Sequence, residues 1–529
     1  MLTRTRLLLF GETALTSALF WLTGEPQGLA IAGDASGVAV AIKDTTTPAN
    51  NRSNIDINDP TSPIVNSGTS PKLVLNAAGV LVWTAHNLLS QSNAQDNAAW
   101  TKSGFTVSAV RVLAADGSLT ANQMFETSGN SPHQIYEAFA SVAGATYTWM
   151  VEAKTNGAPW IKVEDGNGGH GTFFDLVNGV VGSTTSGSVA SIVSLGGGWY
   201  RCITSRVASA GTNYLQLELS SDGSTLPYAG DITKGVYIAK TQVNYGTVPA
   251  AYRVTTSAAW YAVPTEFDLV TRKFYALSEP AATNLLLNNA ALSTQDVTVA
   301  AVANTLSFFG TGTVTLTGVS TAGPLVGTGA SNRVSLTFTP TAGTLHVTVT
   351  GSVTNAQLEV GSVATSVIPT YAATVTRAAD NINAATSAFP IGSSYSMLIE
   401  AQTPNLSVTT GMVSLSASGN EEAELLYGVG SQLRMYTVNL GATQANLLIG
   451  SATINTTFKV AGRFAVNDFH GAANGTLSGA PDTSGTMPIT PTLLKLAGDR
   501  GDPGVFLKIY NVVIVPRAYS NAELQAKTT

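Results

Sequence analysis

From Lys72 onward the chain is a succession of short apolar runs, set about ten residues apart and punctuated by glycine. Thr313 to Leu316, Val334 to Phe338 and Leu345 to Val349 place Val, Leu or Phe at every second position, mostly with Thr or Ser between. A period of two sends alternate side chains to opposite faces, as a half-buried antiparallel strand requires. Strand-like runs precede them at Phe105 to Val112, Ile135 to Phe139, Tyr147 to Ala153, Trp160 to Val163, Val189 to Leu195, Trp199 to Val207, Tyr214 to Leu219 and Gly235 to Val243. Others follow at Ser396 to Ala401, Gly411 to Ser416, Glu424 to Val429, Gln432 to Val438, Thr457 to Ala465 and Val505 to Val515. The pattern predicts an all-β chain of several antiparallel β-sandwich (jelly-roll) modules in tandem. Helix is expected only at the end, where Ser520 and Glu523 form a capping-box signature.

A motif occurs twice. Thr241, Gln242, Val243, Gly246, Val248, Pro249 and Tyr252 return as Ala356, Gln357, Leu358, Gly361, Ile368, Pro369 and Tyr371, with a few residues inserted before the second proline. Each ending lies downstream of an Asn-Leu-Leu opening, at Asn87 to Leu89 and at Asn284 to Leu286. The repeat divides the chain into an N-terminal attachment segment, linker and hairpin (1–83), a first sandwich (84–258), a connector (259–283), a small sandwich (284–381) and a final sandwich (382–529). Within the first segment, Gly33 to Pro71 is rich in Asp, Asn, Thr, Ser and Pro and reads as linker, while Lys72 to Trp83 reads as a hairpin turning at Asn76 to Gly79.

Only 11% of the 529 residues are charged, with a net charge of -6, where ordinary domains carry about 25% charged residues. No basic stripe able to neutralise phosphates is present, which argues against a nucleic-acid partner. A surface so poor in charge calls for cover, so homo-oligomerisation, a trimer above all, is expected. The single cysteine, Cys202, is read as a small core residue, and five scattered histidines give no metal spacing. Arg4 and Arg6 precede an apolar stretch from Leu7 to Leu22 that Glu12 interrupts. It is too short and polar to span a bilayer, and two readings stand: a signal peptide cut near Ala30 or Ala32, or a retained segment docking on a partner.

The first module, through Asn87-Leu88-Leu89, Ala98 to Lys102, Gly196 to Arg201 and the Gln242 to Tyr252 ending, resembles the carbohydrate-binding-module-like jelly rolls of bacteriophage virion and tail proteins. The second, through Ala356 to Glu359, Pro369-Thr370 and Thr376 to Asp380, resembles a shortened companion. The third, through Val505 to Val515 leading into Pro516 to Leu524, is similar to concanavalin-like or laminin-G-like sandwiches. The resemblance implies a non-enzymatic structural protein of the virion (fibre, spike or capsid decoration), attached by its N-terminus to other virion proteins and facing host cell-surface polysaccharide. A secreted bacterial glycan-binding adhesin, a decoration protein binding only virion partners, and a polysaccharide depolymerase are the rival expectations.

Sugar binding on a sandwich needs an aromatic face for pyranose C–H groups and polar side chains for hydroxyls. Trp160, Glu164, Asp165, Asn167 and His170 fall within one strand and its loop and are the candidate glycan site; the alternative is a solvated hairpin beside a core tryptophan. Trp100, Trp199 and Tyr200 are expected to be framework. Glu164 and Asp165 are adjacent on a strand and point to opposite faces, so they make no glycosidase dyad. Glu421, Glu422 and Glu424 are expected to be solvated. No cofactor is expected, save calcium at Asp499 and Asp502, which otherwise form a polar turn.

Overall fold

The computed structural model describes residues 28–34, 37–43, 55–56, 64–209, 211–388, 391–488, 491–499 and 504–529. Residues 1–27, where the leader or docking segment is expected, lie outside the described residues. The described chain is nearly all antiparallel β-structure.

Two six-stranded sheets build the first sandwich. One runs in the order Ser188–Gly196, Trp199–Val207, Thr146–Asn156, Gly235–Tyr245, Ala121–Glu126, Phe105–Val112. The other runs Val180–Thr184, Gly171–Asp175, Trp160–Glu164, Thr212–Ser220, Gln134–Ala140, Thr101–Ser103. Between them sit Tyr147, Trp149, Ile161, Val163, Phe174, Leu215 and Leu217. Strict alternation in Thr212–Ser220 sends Leu215, Leu217 and Leu219 into this core and Gln216 and Glu218 to the other face. Cys202 is fully buried there, and desolvation pushes its thiol well above the ordinary value. Trp100 and Trp199 are buried, and Tyr200 packs against the core.

The small sandwich opposes a four-stranded sheet (Gln295–Val299, Gly343–Thr350, Thr313–Gly318, Leu325–Val326) to a three-stranded one (Gly329–Phe338, Asn304–Gly310, Val353–Val360). Leu306, Phe308, Val314, Leu345, Val347 and Leu358 fill it.

The last core, around Met397, Ile399, Leu425, Tyr427, Phe464 and Leu494, also takes in Ile64, Val263 and Ala276 from far upstream. Lys273–Ser278 pairs with Leu507–Val515, as does Gly28–Asp34, and Val65–Asn66 pairs with Ile382–Ala385. Leu73–Leu75 and Leu81–Trp83 form a hairpin whose turn is held by Asn76 Oδ1, which accepts from the amides of Ala78 and Val80. The terminal helix Asn521–Thr528 begins at Ser520, with both bonds of the capping box formed, and buries Leu524.

A buried ionic cluster ties these regions together. Lys72 Nζ lies 2.7 Å from Glu279 Oε2 and also bonds Asp380, while Arg377 bonds Glu279 from the other side. Ser366 donates its amide and hydroxyl to Glu279 at 2.7 and 2.6 Å. Burial alone would raise the Glu279 carboxyl, but Arg377 and Lys72 hold it well below the usual carboxylate range.

Candidate functional site

The strand Trp160–Glu164 pairs on one side with Gly171–Asp175 and on the other with Thr212–Ser220. Because Ile161 and Val163 face the core, Trp160, Lys162 and Glu164 share the opposite face. The register sets Glu164 beside Gln216 and Lys162 beside both Glu218 and Phe173. One sheet face therefore carries an indole, a phenyl ring, an ammonium, two carboxyls and an amide.

The geometry on this face is tight. Lys162 Nζ meets Glu164 Oε2 at 2.5 Å and lies 5.5 Å from the centre of the Phe173 ring. Gln216 donates to Glu164 and, at 3.0 Å, to Gln134. Tyr136 and Tyr214 meet edge to face at 5.5 Å one step further along. Trp160 is partly exposed, and backbone fixes its ring: a Cβ on Gly182 would come within 2.6 Å of the indole, and one on Gly223 within 2.8 Å. The turn after Glu164 folds over the polar end, where a Cβ on Gly169 would lie 3.7 Å from Lys162 Nζ.

The two carboxyls differ in their surroundings. Burial raises Glu164 above the ordinary glutamate value, while Lys162 opposes the shift. Glu218 is pushed up to about 7, first by burial and then by the Glu164 charge.

Of the five residues expected to bind sugar, the structure places only Trp160 and Glu164 on this face. Asp165 turns the other way, toward Arg206 Nε of the opposing sheet at 3.4 Å and His170 Nδ1 at 3.6 Å, and its Oδ1 accepts the Asn167 amide. Asn167 in turn donates to Thr212 O and Asn213 Oδ1. These three residues shape the turn. Lys162, Phe173, Gln216 and Glu218 escaped the sequence reading, although counting in twos from Trp160 reaches Lys162, and the leucines of Thr212–Ser220 single out Gln216 and Glu218.

Two other acidic groups differ from expectation or stand apart. Glu421, Glu422 and Glu424 are buried rather than solvated. They sit on the strand Glu421–Gly428, which is paired on both sides by Thr410–Ser418 and Gln432–Asn439, and Leu440 N and Ser414 Oγ donate to Glu421 and Glu422, each near 2.8 Å. Burial, and then the Glu422 charge, pushes Glu424 well above the ordinary value. Asp502 lies outside the described residues, and among those described no group of three or more His, Cys, Asp or Glu side chains is placed to hold a metal ion. No described helix is long and apolar enough to cross a membrane.

No protein-family model and no curated protein matches the chain. Among solved structures it is similar to the CBM40 of Ruminococcus gnavus IT-sialidase bound to α2,3-sialyllactose, at 15% identity over 26% of this chain and 83% of that one, with a TM-score of 0.23. Domain 4 of AbnA, a GH43 extracellular arabinanase from Geobacillus stearothermophilus, in complex with arabinotriose, matches at 13% identity over 28% and 73%, with a TM-score of 0.25. Mouse laminin α1 chain domains LG4–5 match at 9% over 86% and 96%, with a TM-score of 0.22. At TM-scores this low, none of these likenesses bears on what the chain binds.

Proposed function

We propose that this chain is a non-enzymatic glycan-binding protein whose first sandwich holds saccharide on the face carrying Trp160, Lys162, Phe173 and Gln216. The observation behind the reading is the co-facial placement of a partly exposed indole with an ammonium, amides and carboxyls on a rigid sheet. An aromatic surface takes the C–H side of a pyranose, and charged or amide groups bond its hydroxyls.

The wider setting follows from the sequence resemblance and the scarcity of charge. The chain acts in a bacteriophage virion as a fibre, spike or decoration protein, attached through its N-terminal segment to other virion proteins, assembled as a homo-oligomer, and presenting its sandwiches to host cell-surface polysaccharide. Proteomics of purified particles tests the location, and absence of the chain from intact virions overturns it. Glycan-array binding by the full chain tests the site. Trp160→Ala is expected to weaken binding at least tenfold, the equivalent of about 1.4 kcal/mol, with the circular dichroism spectrum retained. Undiminished binding removes Trp160 from the site.

A further inference from the structure

Glu218 stands in register with Lys162, the nearest cation on its face, yet the Lys162 ammonium closes on Glu164 instead. The Glu218 carboxyl makes no hydrogen bond or ion pair among the described residues, although the residue is only 7% exposed. The strand on its other side presents Gln134, which is bonded to Gln216. A nearly buried acid without a partner is a costly arrangement that a ligand cation relieves. Its position is not that of a metal site, because a hard divalent cation needs six or more oxygens and no such cluster is present among the described residues.

The charges on the face set a preference. Lys162 offsets Glu164, which leaves Glu218 as the surplus negative group on the face shared with Trp160 and Phe173. An anionic sugar (uronate, sialate or sulfate) brings like charge to a poorly solvated carboxylate and is disfavoured. A neutral sugar offers only hydroxyl donors. A sugar ammonium offers a charge-assisted bond to a carboxyl that has no cation of its own, the stronger interaction.

Resting on the glycan-binding reading above, we infer that this face selects saccharides bearing free amino groups, such as de-N-acetylated hexosamine oligomers, and that Glu218 receives the sugar ammonium. The near-neutral titration of Glu218 fits an acid waiting for such a partner.

Calorimetry of the full chain against glucosamine, N-acetylglucosamine and galacturonate oligomers of equal length tests this, near neutral pH, where Glu218 is partly ionised and much of the sugar amine still carries its proton. The expected order is glucosamine above N-acetylglucosamine above galacturonate, with about a tenfold preference for the first over the second, since one charge-assisted bond is worth about 1.5 kcal/mol or more. Glu218→Gln, which keeps the side chain's shape, is expected to collapse that ratio toward one. Equal binding of the amino and N-acetyl oligomers, or a ratio unchanged in Glu218→Gln, overturns the amino-sugar preference while leaving the glycan reading in place. Binding of none of the three oligomers overturns the preference, and if the glycan array is blank as well the glycan reading falls with it.

Discussion

Asn87 and Asn284 make the same four hydrogen bonds at the start of two different sandwiches. The Asn87 amide donates to Thr241 O and Arg253 O while its Oδ1 accepts from Leu89 N and Val243 N; the Asn284 amide donates to Ala356 O and Ile368 O while its Oδ1 accepts from Leu286 N and Leu358 N. Each asparagine clamps the opening of its module to its closing strand. The glutamine that follows repeats the pattern, with Gln242 Oε1 accepting from Arg253 N and Gln357 Oε1 from Ile368 N. Ile368 thus matches Arg253 in space, not Val248 as the sequence pairing has it.

Removing this clamp leaves two buried backbone amides short of a partner, while the carbonyls of Ala356 and Ile368 keep the Asn289 side-chain amide, and each orphaned group costs about 1 to 3 kcal/mol. Asn284→Ala is therefore expected to lower the first thermal transition of the full chain by several degrees, and Asn87→Ala likewise, as read by calorimetry. A melting profile that does not move removes the clamp as a source of stability.

The ionic cluster predicts a second outcome. Lys72→Met keeps the length of the side chain and strips Glu279 and Asp380 of their shared cation, inside a site where Lys72 has no exposed side chain. Breaking a buried pair on one side costs on the order of 3 to 5 kcal/mol, which urea unfolding measures.

Acid should act on the same cluster. The folded-state value of Glu279 lies below its unfolded value, so its contribution is present above the unfolded pKa and is lost as pH falls toward the folded one. Unfolding midpoints are expected to drop as pH falls below the ordinary glutamate range, and less steeply in Lys72→Met.

Glu218 carries the opposite sign. Its folded value of about 7 exceeds the ordinary 4.5, so the folded chain holds a proton that the unfolded chain releases. The resulting destabilisation grows from the unfolded value up to about 7 and is complete above it. Glu218→Gln is expected to raise the melting temperature in mildly alkaline buffer and to change it little at the acidic end of that window. A shift of equal size at both pH values contradicts the titration.

Cys202 offers a probe of the first sandwich. Its thiol is fully buried and held protonated by desolvation. A disulfide reagent is expected to label it only after denaturant is added, and prompt labelling of the native chain would contradict its place in the core.

Much of the fold was written in local pattern. The alternation of Thr with Val or Leu in Gly343–Thr350 and Thr313–Gly318 specified strands and their buried faces, and Ser520 with Glu523 specified the one α-helix among the described residues, because period and capping are properties of neighbouring residues. The Asn-Leu-Leu openings and Gln endings marked the modules, since both ends of the clamp recur in sequence. Tertiary pairing decided the rest. Only register could put Glu218 beside Lys162, bury Glu422 and Glu424, and bring Arg206 up to Asp165. Lys72, Glu279 and Asp380 form one cluster although they are far apart in the chain. Whether a charged side chain is solvated or buried depends on which distant strand arrives next to it, and local periodicity carries no record of that.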